Sequence, residues 1–77
     1  MTPAQCLQAR KLLGWSRARL ASRADCSDVA IISFELSRHN SVASTLHAIR
    51  TTLEAEGIVF VVEDGQGPGV RLRKSPL

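Results

Sequence analysis

The 77-residue chain is long enough for one small domain and carries a net charge of +3. Apolar residues make up 44% and charged residues 22%, a mixture typical of a folded globular protein, which excludes a disordered chain and a two-domain protein. The longest apolar run, residues 58–62, is far shorter than the roughly 20 residues of a membrane-spanning helix, and polar residues interrupt the N-terminus where a signal peptide would be apolar. We therefore expect a cytoplasmic protein in which Cys6 and Cys26 are small buried residues rather than a disulfide.

The charges are banded along the chain. Residues 1–24 carry five basic side chains and no acidic one, and residues 25–35 carry three acidic side chains and no basic one. A second acidic segment covers residues 51–64, and a basic one covers residues 71–74. A net positive charge hints at nucleic acid, but the acidic bands predict that not every surface suits a phosphate backbone.

The first predicted helix covers residues 3–13. Thr2 is a suitable N-cap, Pro3 fits the first helical position, and Gln5 completes a capping box. Gly14 ends the helix, because glycine readily adopts the left-handed conformation found after a helix C-terminus.

Two short helices follow, each predicted by a serine cap. Ser16 precedes a helix over residues 17–24, and Ser27 precedes a helix that runs to about Leu36. In the second of these, Ile31 and Phe34 are expected to face inward. A short turn joins the pair, which predicts a helix-turn-helix arrangement.

A fourth helix is predicted from about Val42 to Glu56, ending at Gly57. Apolar residues recur there at helical spacing: Val42, Leu46, Ile49 and Leu53. Residues 58–62 are all β-branched or aromatic and predict a buried strand, residues 63–69 a loop, and residues 70–73 a half-exposed strand. The predicted fold class is mainly α, with a helical domain over residues 1–57 and a β-hairpin with a short tail over residues 58–77.

A set of residues across the four helices carries a family resemblance: Leu13-Gly14-Trp15-Ser16, Leu20-Ala21, Cys26-Ser27, Ile31, Phe34-Glu35, Thr45-Leu46, Ile49 and Leu53. At this spacing the chain resembles the Cro/C1 (Xre-type) helix-turn-helix family, in particular its short bacterial members that end in a β-hairpin. The resemblance implies a structural ion pair between Arg10 and Glu35, for which the alternative is two solvated charges. It also implies that Trp15 fills an apolar position of the core.

Four positions depart from the family pattern. The family often has glutamine at the start of helix 2, glycine in the turn, glycine after the glutamate and proline before helix 4, whereas this chain has Arg17, Asp25, Ser37 and Ser41. Asp25 is one of the few residue types that adopt the left-handed conformation of glycine, so the turn is expected to survive.

The resemblance places base reading on the start and outer face of helix 3, here Asp28, Val29, Ile32 and Ser33. Asp28 accepts a hydrogen bond only from cytosine, and the two aliphatic side chains contact at most a thymine methyl group. Specific DNA reading is therefore expected to be weak. The residues expected to hold a DNA backbone lie on the flanks: Arg17, Arg19, Arg23, Arg38 and His39.

The same helix face offers an apolar ridge, because Val29, Ile32 and Leu36 are spaced three and four residues apart. An apolar ridge with a charged rim is typical of a protein contact, and with Asp28 it forms the predicted partner-binding surface. The alternative is that the hairpin or helix 4 covers the ridge. A second predicted surface, for a homodimer, is the first strand: Ile58, Val59, Phe60, Val61 and Val62.

These observations leave two main functions. The first is a small transcriptional regulator that contacts another regulator protein and acts as an antiactivator, with weak or no specific DNA reading. The second is a dimeric, sequence-specific DNA-binding repressor of the Xre type. An accessory role, such as a toxin–antitoxin component, is a third interpretation.

Other chemistry is not favoured by the sequence. Cys6, Cys26, His39 and His47 lack the spacing of a zinc site, and the glycines at 65, 67 and 69 precede a strand rather than open a helix. His47 has no nucleophile in a recognisable motif. We expect no enzymatic activity, no metal and no cofactor.

Overall fold

The computed structural model describes residues 1–37, 42–61 and 69–73. These residues form four helices followed by a two-stranded antiparallel hairpin: α1 (Pro3–Leu13), α2 (Arg17–Ala24), α3 (Asp28–Glu35), α4 (Ala43–Ala55), β1 (Ile58–Val61) and β2 (Gly69–Leu72). The mainly α fold class is confirmed, with α2 and α3 as the helix-turn-helix pair. Within the described ranges, no helix has the length and apolar character needed to cross a membrane.

The helix starts are fixed by the predicted caps. Thr2 and Gln5 form a reciprocal capping box, in which the Gln5 backbone N–H donates to Thr2 Oγ1 (3.1 Å) and the Thr2 N–H donates to Gln5 Oε1 (2.8 Å). Ser16 and Ser27 each accept a hydrogen bond from the backbone N–H three residues further on. These local bonds satisfy donors that a helix start leaves without a partner, so the sequence alone determines where α1, α2 and α3 begin.

Three residues with positive φ end the first three helical segments. Gly14 (φ 70°) follows α1, and Asp25 (φ 58°) follows α2, as the sequence predicts. Ser37 (φ 54°) adopts the same left-handed region two residues after α3. A serine there is strained, because its Cβ approaches the following carbonyl oxygen.

The core lies between the helices and is closed by the hairpin. Each helix and β1 contributes fully or nearly fully buried apolar residues: Cys6, Ala9, Leu20, Ala21, Ala24, Ile31, Phe34, Ile49, Leu53 and Ile58. Trp15 is half-buried and packs against this cluster, in agreement with its predicted core position. Both Ile31 and Phe34 point inward as predicted.

The hairpin packs with β2 against α1 and with β1 against α4. Its register pairs Ile58 with Leu72 and Val61 with Gly69. The amide of Gln5 donates to the carbonyl oxygens of both Val61 (3.2 Å) and Gly69 (2.9 Å). One side chain of α1 therefore binds both strands at the Val61–Gly69 end of the hairpin.

Three sequence predictions need correction. Val42 is the N-cap of α4 and is 66% exposed, because it precedes the helix and does not continue its inward stripe. Gly69 begins β2 rather than belonging to the loop, since it pairs with Val61. Arg73 follows β2, although its N–H still bonds to the Gly57 carbonyl. Val62 and most of the predicted loop lie outside the described residues.

Candidate interaction surface on helix α3

An ion pair joins α1 to the last residue of α3. Arg10 Nε donates to Glu35 Oε2 (2.7 Å), and Arg10 Nη2 donates to Glu35 Oε1 (2.9 Å), which is the two-pronged geometry that suits a guanidinium and a carboxylate. The Glu35 side chain is only 2% exposed. The predicted ion pair between Arg10 and Glu35 is confirmed, and the alternative of two solvated charges is wrong.

Glu35 binds more partners than the sequence predicts. Arg17 Nε donates to Oε1 (3.2 Å), and the thiol of Cys6 donates to Oε2 (3.4 Å). Arg10 in turn donates from Nη1 to the backbone carbonyl of Trp15 (3.0 Å). The cluster ties α1, the turn before α2, the start of α2 and the end of α3 into one unit, and this unit fixes the orientation of α3.

The surroundings shift two pKa values in this cluster. Burial opposes ionisation of Glu35, but the hydrogen bonds from Arg10 and Arg17 outweigh it, so the pKa of Glu35 lies below its ordinary value of 4.5. Burial, followed by the nearby charge of Glu35, raises the pKa of Cys6 to about 12. Glu35 is therefore a stable anion at neutral pH, and Cys6 remains a neutral thiol that donates to it.

The arginines of α2 are held by other groups of the chain. The guanidinium carbons of Arg19 and Arg23 lie 5.5 and 5.4 Å from the centre of the Trp15 ring, within the range of a cation–π interaction. Arg23 also donates to Glu56 (3.0 Å), the residue that caps the C-terminus of α4. With Arg17 bonded to Glu35, all three arginines predicted to flank a DNA backbone on α2 have partners within the domain.

The outer face of α3 consists of Asp28, Val29, Ile32, Ser33 and Leu36, with Leu36 as the residue that caps the helix. Val29 is 63% exposed and Leu36 is 49% exposed, so among the described residues neither the hairpin nor α4 covers the ends of the predicted ridge. Two large aliphatic side chains are thus presented to solvent on one short helix.

The middle of the ridge is less accessible than predicted. Ile32 is only half-buried, as is Ser33. Ile32, predicted as part of the partner-binding surface, is therefore only partly accessible to a partner. Val29 and Leu36 are the residues on which a contact surface depends.

Charge surrounds one end of this face. Asp25 and Asp28 are both exposed, and within the described part of the chain neither takes part in an ion pair. Glu35 belongs to the same acidic band but is neutralised by Arg10 and Arg17. On this face, the negative charge that is not neutralised by an ion pair is therefore concentrated at the start of α3. Arg38 and His39, predicted to contact a DNA backbone, lie outside the described residues.

Sequence reasoning missed the second role of three residues. The sequence predicts Gln5 only as a capping residue, Arg17 as a surface cation and Cys6 as a small core residue. Their long-range partners lie 18 to 64 residues away in the chain. No local pattern encodes such pairings. Buried polar side chains nearly always have a hydrogen-bond partner, so a buried Gln5 is expected to have one.

No protein-family model and no curated protein matches the chain.

Proposed function

We propose that this protein is a small cytoplasmic transcriptional regulator of the Cro/C1 helix-turn-helix type that acts by contacting another regulator protein, as an antiactivator. The observation that carries the proposal is the exposure of Val29 and Leu36 on the outer face of α3. In a helix-turn-helix protein this face approaches its target, and here it presents aliphatic groups.

The chemistry of the same face supports a protein target rather than DNA. Base edges in the major groove are read by side chains that donate and accept hydrogen bonds, and Val29 and Ile32 do neither. Asp28 adds a negative charge where a DNA complex needs positive charge. A protein surface with an apolar pocket and a basic rim is the better complement.

The arginines of α2 support the same conclusion. Arg17 is already paired with Glu35, and Arg19 and Arg23 already lie over the Trp15 ring. Part of the positive charge of α2 is therefore used within the domain, which reduces the gain from binding a phosphate. Any DNA binding is expected to be nonspecific and to weaken steeply with salt.

The test uses the purified protein and two purified variants to capture binding proteins from a lysate of the native cell, and compares what each one captures. Val29→Asp puts a charge on the outer face of α3 at the second helical position, where an acidic residue suits the helix dipole, so the fold is retained. We expect a transcription regulator to bind the wild-type protein and to be lost, by about tenfold or more, with Val29→Asp.

The matched control is Leu12→Asp, which puts the same charge on an exposed aliphatic residue of α1 instead of α3. It is expected to retain the regulator, and circular dichroism checks that both variants keep their helices. A mobility shift with a pool of random-sequence duplexes, at low salt and at about 0.15 M salt, accompanies the capture, and sequencing of the shifted DNA measures selectivity. A sequence-selective complex with nanomolar affinity at the higher salt contradicts the proposal.

The second candidate is a dimeric DNA-binding repressor of the Xre type. It is favoured by one observation: residues 1–24 carry five bases and no acid, and Arg17 and Arg19 are exposed at the start of α2. The mobility shift separates the candidates, because a repressor keeps its selectivity at physiological salt and a protein-binding regulator does not.

A further inference from the structure

The hairpin has an outer face whose chemistry differs from that of its core face. Side chains alternate along a strand, and Ile58, Phe60 and Val70 face the core. The residues that alternate with them form the outer face, on which Val59 and Val61 are half-buried and Arg71 and Arg73 are exposed. Val59 lies directly opposite Arg71 in the register, and among the described residues of the hairpin there is no acidic side chain. The outer face is thus aliphatic and basic.

The outer face of α3 has the opposite character. It is aliphatic at Val29 and Leu36, and it is acidic at Asp28, with Asp25 close by in the chain. The two faces are also similar in length. The eight residue steps from Asp28 to Leu36 span about 12 Å of helix, and the four steps from Gly57 to Val61 span about 13 Å of strand.

Every copy of the protein has both outer faces, that of the hairpin and that of α3, and they lie on different parts of the fold. α3 packs on α1 and α2, whereas the strands pack on α1 and α4. One copy therefore offers an acidic aliphatic face and a basic aliphatic face at the same time. Such a pair of complementary patches on one molecule produces head-to-tail contacts.

We propose that the outer face of the hairpin is a docking surface for the outer face of α3 of a second copy. The aliphatic residues of the two faces meet, and Asp28 of one copy lies beside Arg71 of the other. This contact is small compared with a stable dimer interface, so it is weak and forms at high protein concentration. It covers Val29 and Leu36, so self-association and partner binding exclude each other.

The test is sedimentation velocity of the purified protein from about 10 μM to about 1 mM. We expect the average mass to rise above the 8.4 kDa of one chain, and the rise to diminish at high salt, because exposed charge pairs are screened. Asp28→Lys and Arg71→Glu are each expected to abolish the rise. Lys11→Glu, which changes the charge by the same amount as Arg71→Glu on the exposed side of α1, is the control and retains it.

Mixing the two charge-reversed variants provides the decisive arm. The intact α3 face of Arg71→Glu then meets the intact hairpin of Asp28→Lys, and association is restored in the mixture only. A protein that stays monomeric throughout this range overturns the proposal, as does association that Asp28→Lys leaves unchanged, since that indicates contact between two hairpins. Neither result depends on the lysate experiment, so the proposed function stands or falls separately.

Discussion

Arg10 and Glu35 are joined by two parallel hydrogen bonds of 2.7 and 2.9 Å between side chains that are almost completely shielded from water. Removing one partner of such a pair leaves an uncompensated charge in the interior, which is more damaging than removing both. We predict that Arg10→Met lowers the free energy of unfolding by about 3 kcal/mol. The double variant Arg10→Met/Glu35→Leu recovers most of that loss.

Urea denaturation of Arg10→Met, Glu35→Leu and the double variant measures the coupling between Arg10 and Glu35. Arg17 also bonds to Glu35, so it retains part of the charge compensation when Arg10 is removed. Equal stability of Arg10→Met and the wild-type protein contradicts the prediction. So does a double variant that loses the sum of the two single effects, since independent residues add and coupled residues do not.

The lowered pKa of Glu35 predicts how stability changes with acid. A carboxyl whose pKa is depressed by folding stabilises the folded state above its unfolded pKa, and this contribution is lost as the pH falls through the folded pKa. The difference in unfolding free energy between wild type and Glu35→Gln is therefore constant near neutral pH and shrinks below pH 4.5. Thermal or urea unfolding at a series of pH values checks this, and a difference that is unchanged down to pH 3 counts against it.

Ser37 has φ 54° where the resembling family often has glycine. Because glycine adopts this conformation without steric cost, Ser37→Gly is predicted to raise the free energy of unfolding by about 1 kcal/mol. The control is Ser22→Gly, in the exposed part of α2, where glycine costs stability because it frees the unfolded backbone. The two variants should therefore shift the urea midpoint in opposite directions, and a shift of the same sign in both disproves the explanation.

The two cysteines are free, but only Cys6 is fully buried as the sequence predicts. Cys6 is inaccessible and its pKa is raised to about 12, whereas Cys26 is only half-buried, with a pKa raised by burial and by Asp25. Since the thiolate is the reactive form, iodoacetamide is predicted to modify Cys26 at least about ten times faster than Cys6. Mass spectrometry of the digested protein over time measures both rates. In urea the two rates should become similar, and a difference that persists there would point to local sequence rather than to the fold.

The sequence predicts the parts of this protein that local bonds determine. Thr2, Ser16 and Ser27 each satisfy donors within one helical turn, and Gly14 ends a helix through its own backbone conformation. For this reason the bounds of α1 and α2 agree with the prediction to the residue. The end of α4 is also close to the prediction, because the helical spacing of apolar residues stops before Gly57, which has a positive φ.

The candidate site was predicted less completely, because it depends on distances between helices. Helical spacing places Ile32 on the outer face, but spacing does not reveal how closely α3 packs against its neighbours, and Ile32 proves to be half-buried. Likewise, the charge of Arg17 is visible in the sequence, but its bond to Glu35 arises only when α2 and α3 are packed. Charge pattern predicts which residues need partners, and tertiary packing decides which partners they find.

The bonds of Gln5 also have a consequence for biosynthesis. This residue lies in α1, which is translated before the other elements of this domain, yet the two carbonyl groups it serves are 56 and 64 residues further along the chain. Until Val61 and Gly69 have been translated, the Nε2 group of Gln5 lacks these two acceptors, and burying it beforehand costs free energy. The packing of α1 against the hairpin therefore becomes fully favourable only after the second strand has been translated.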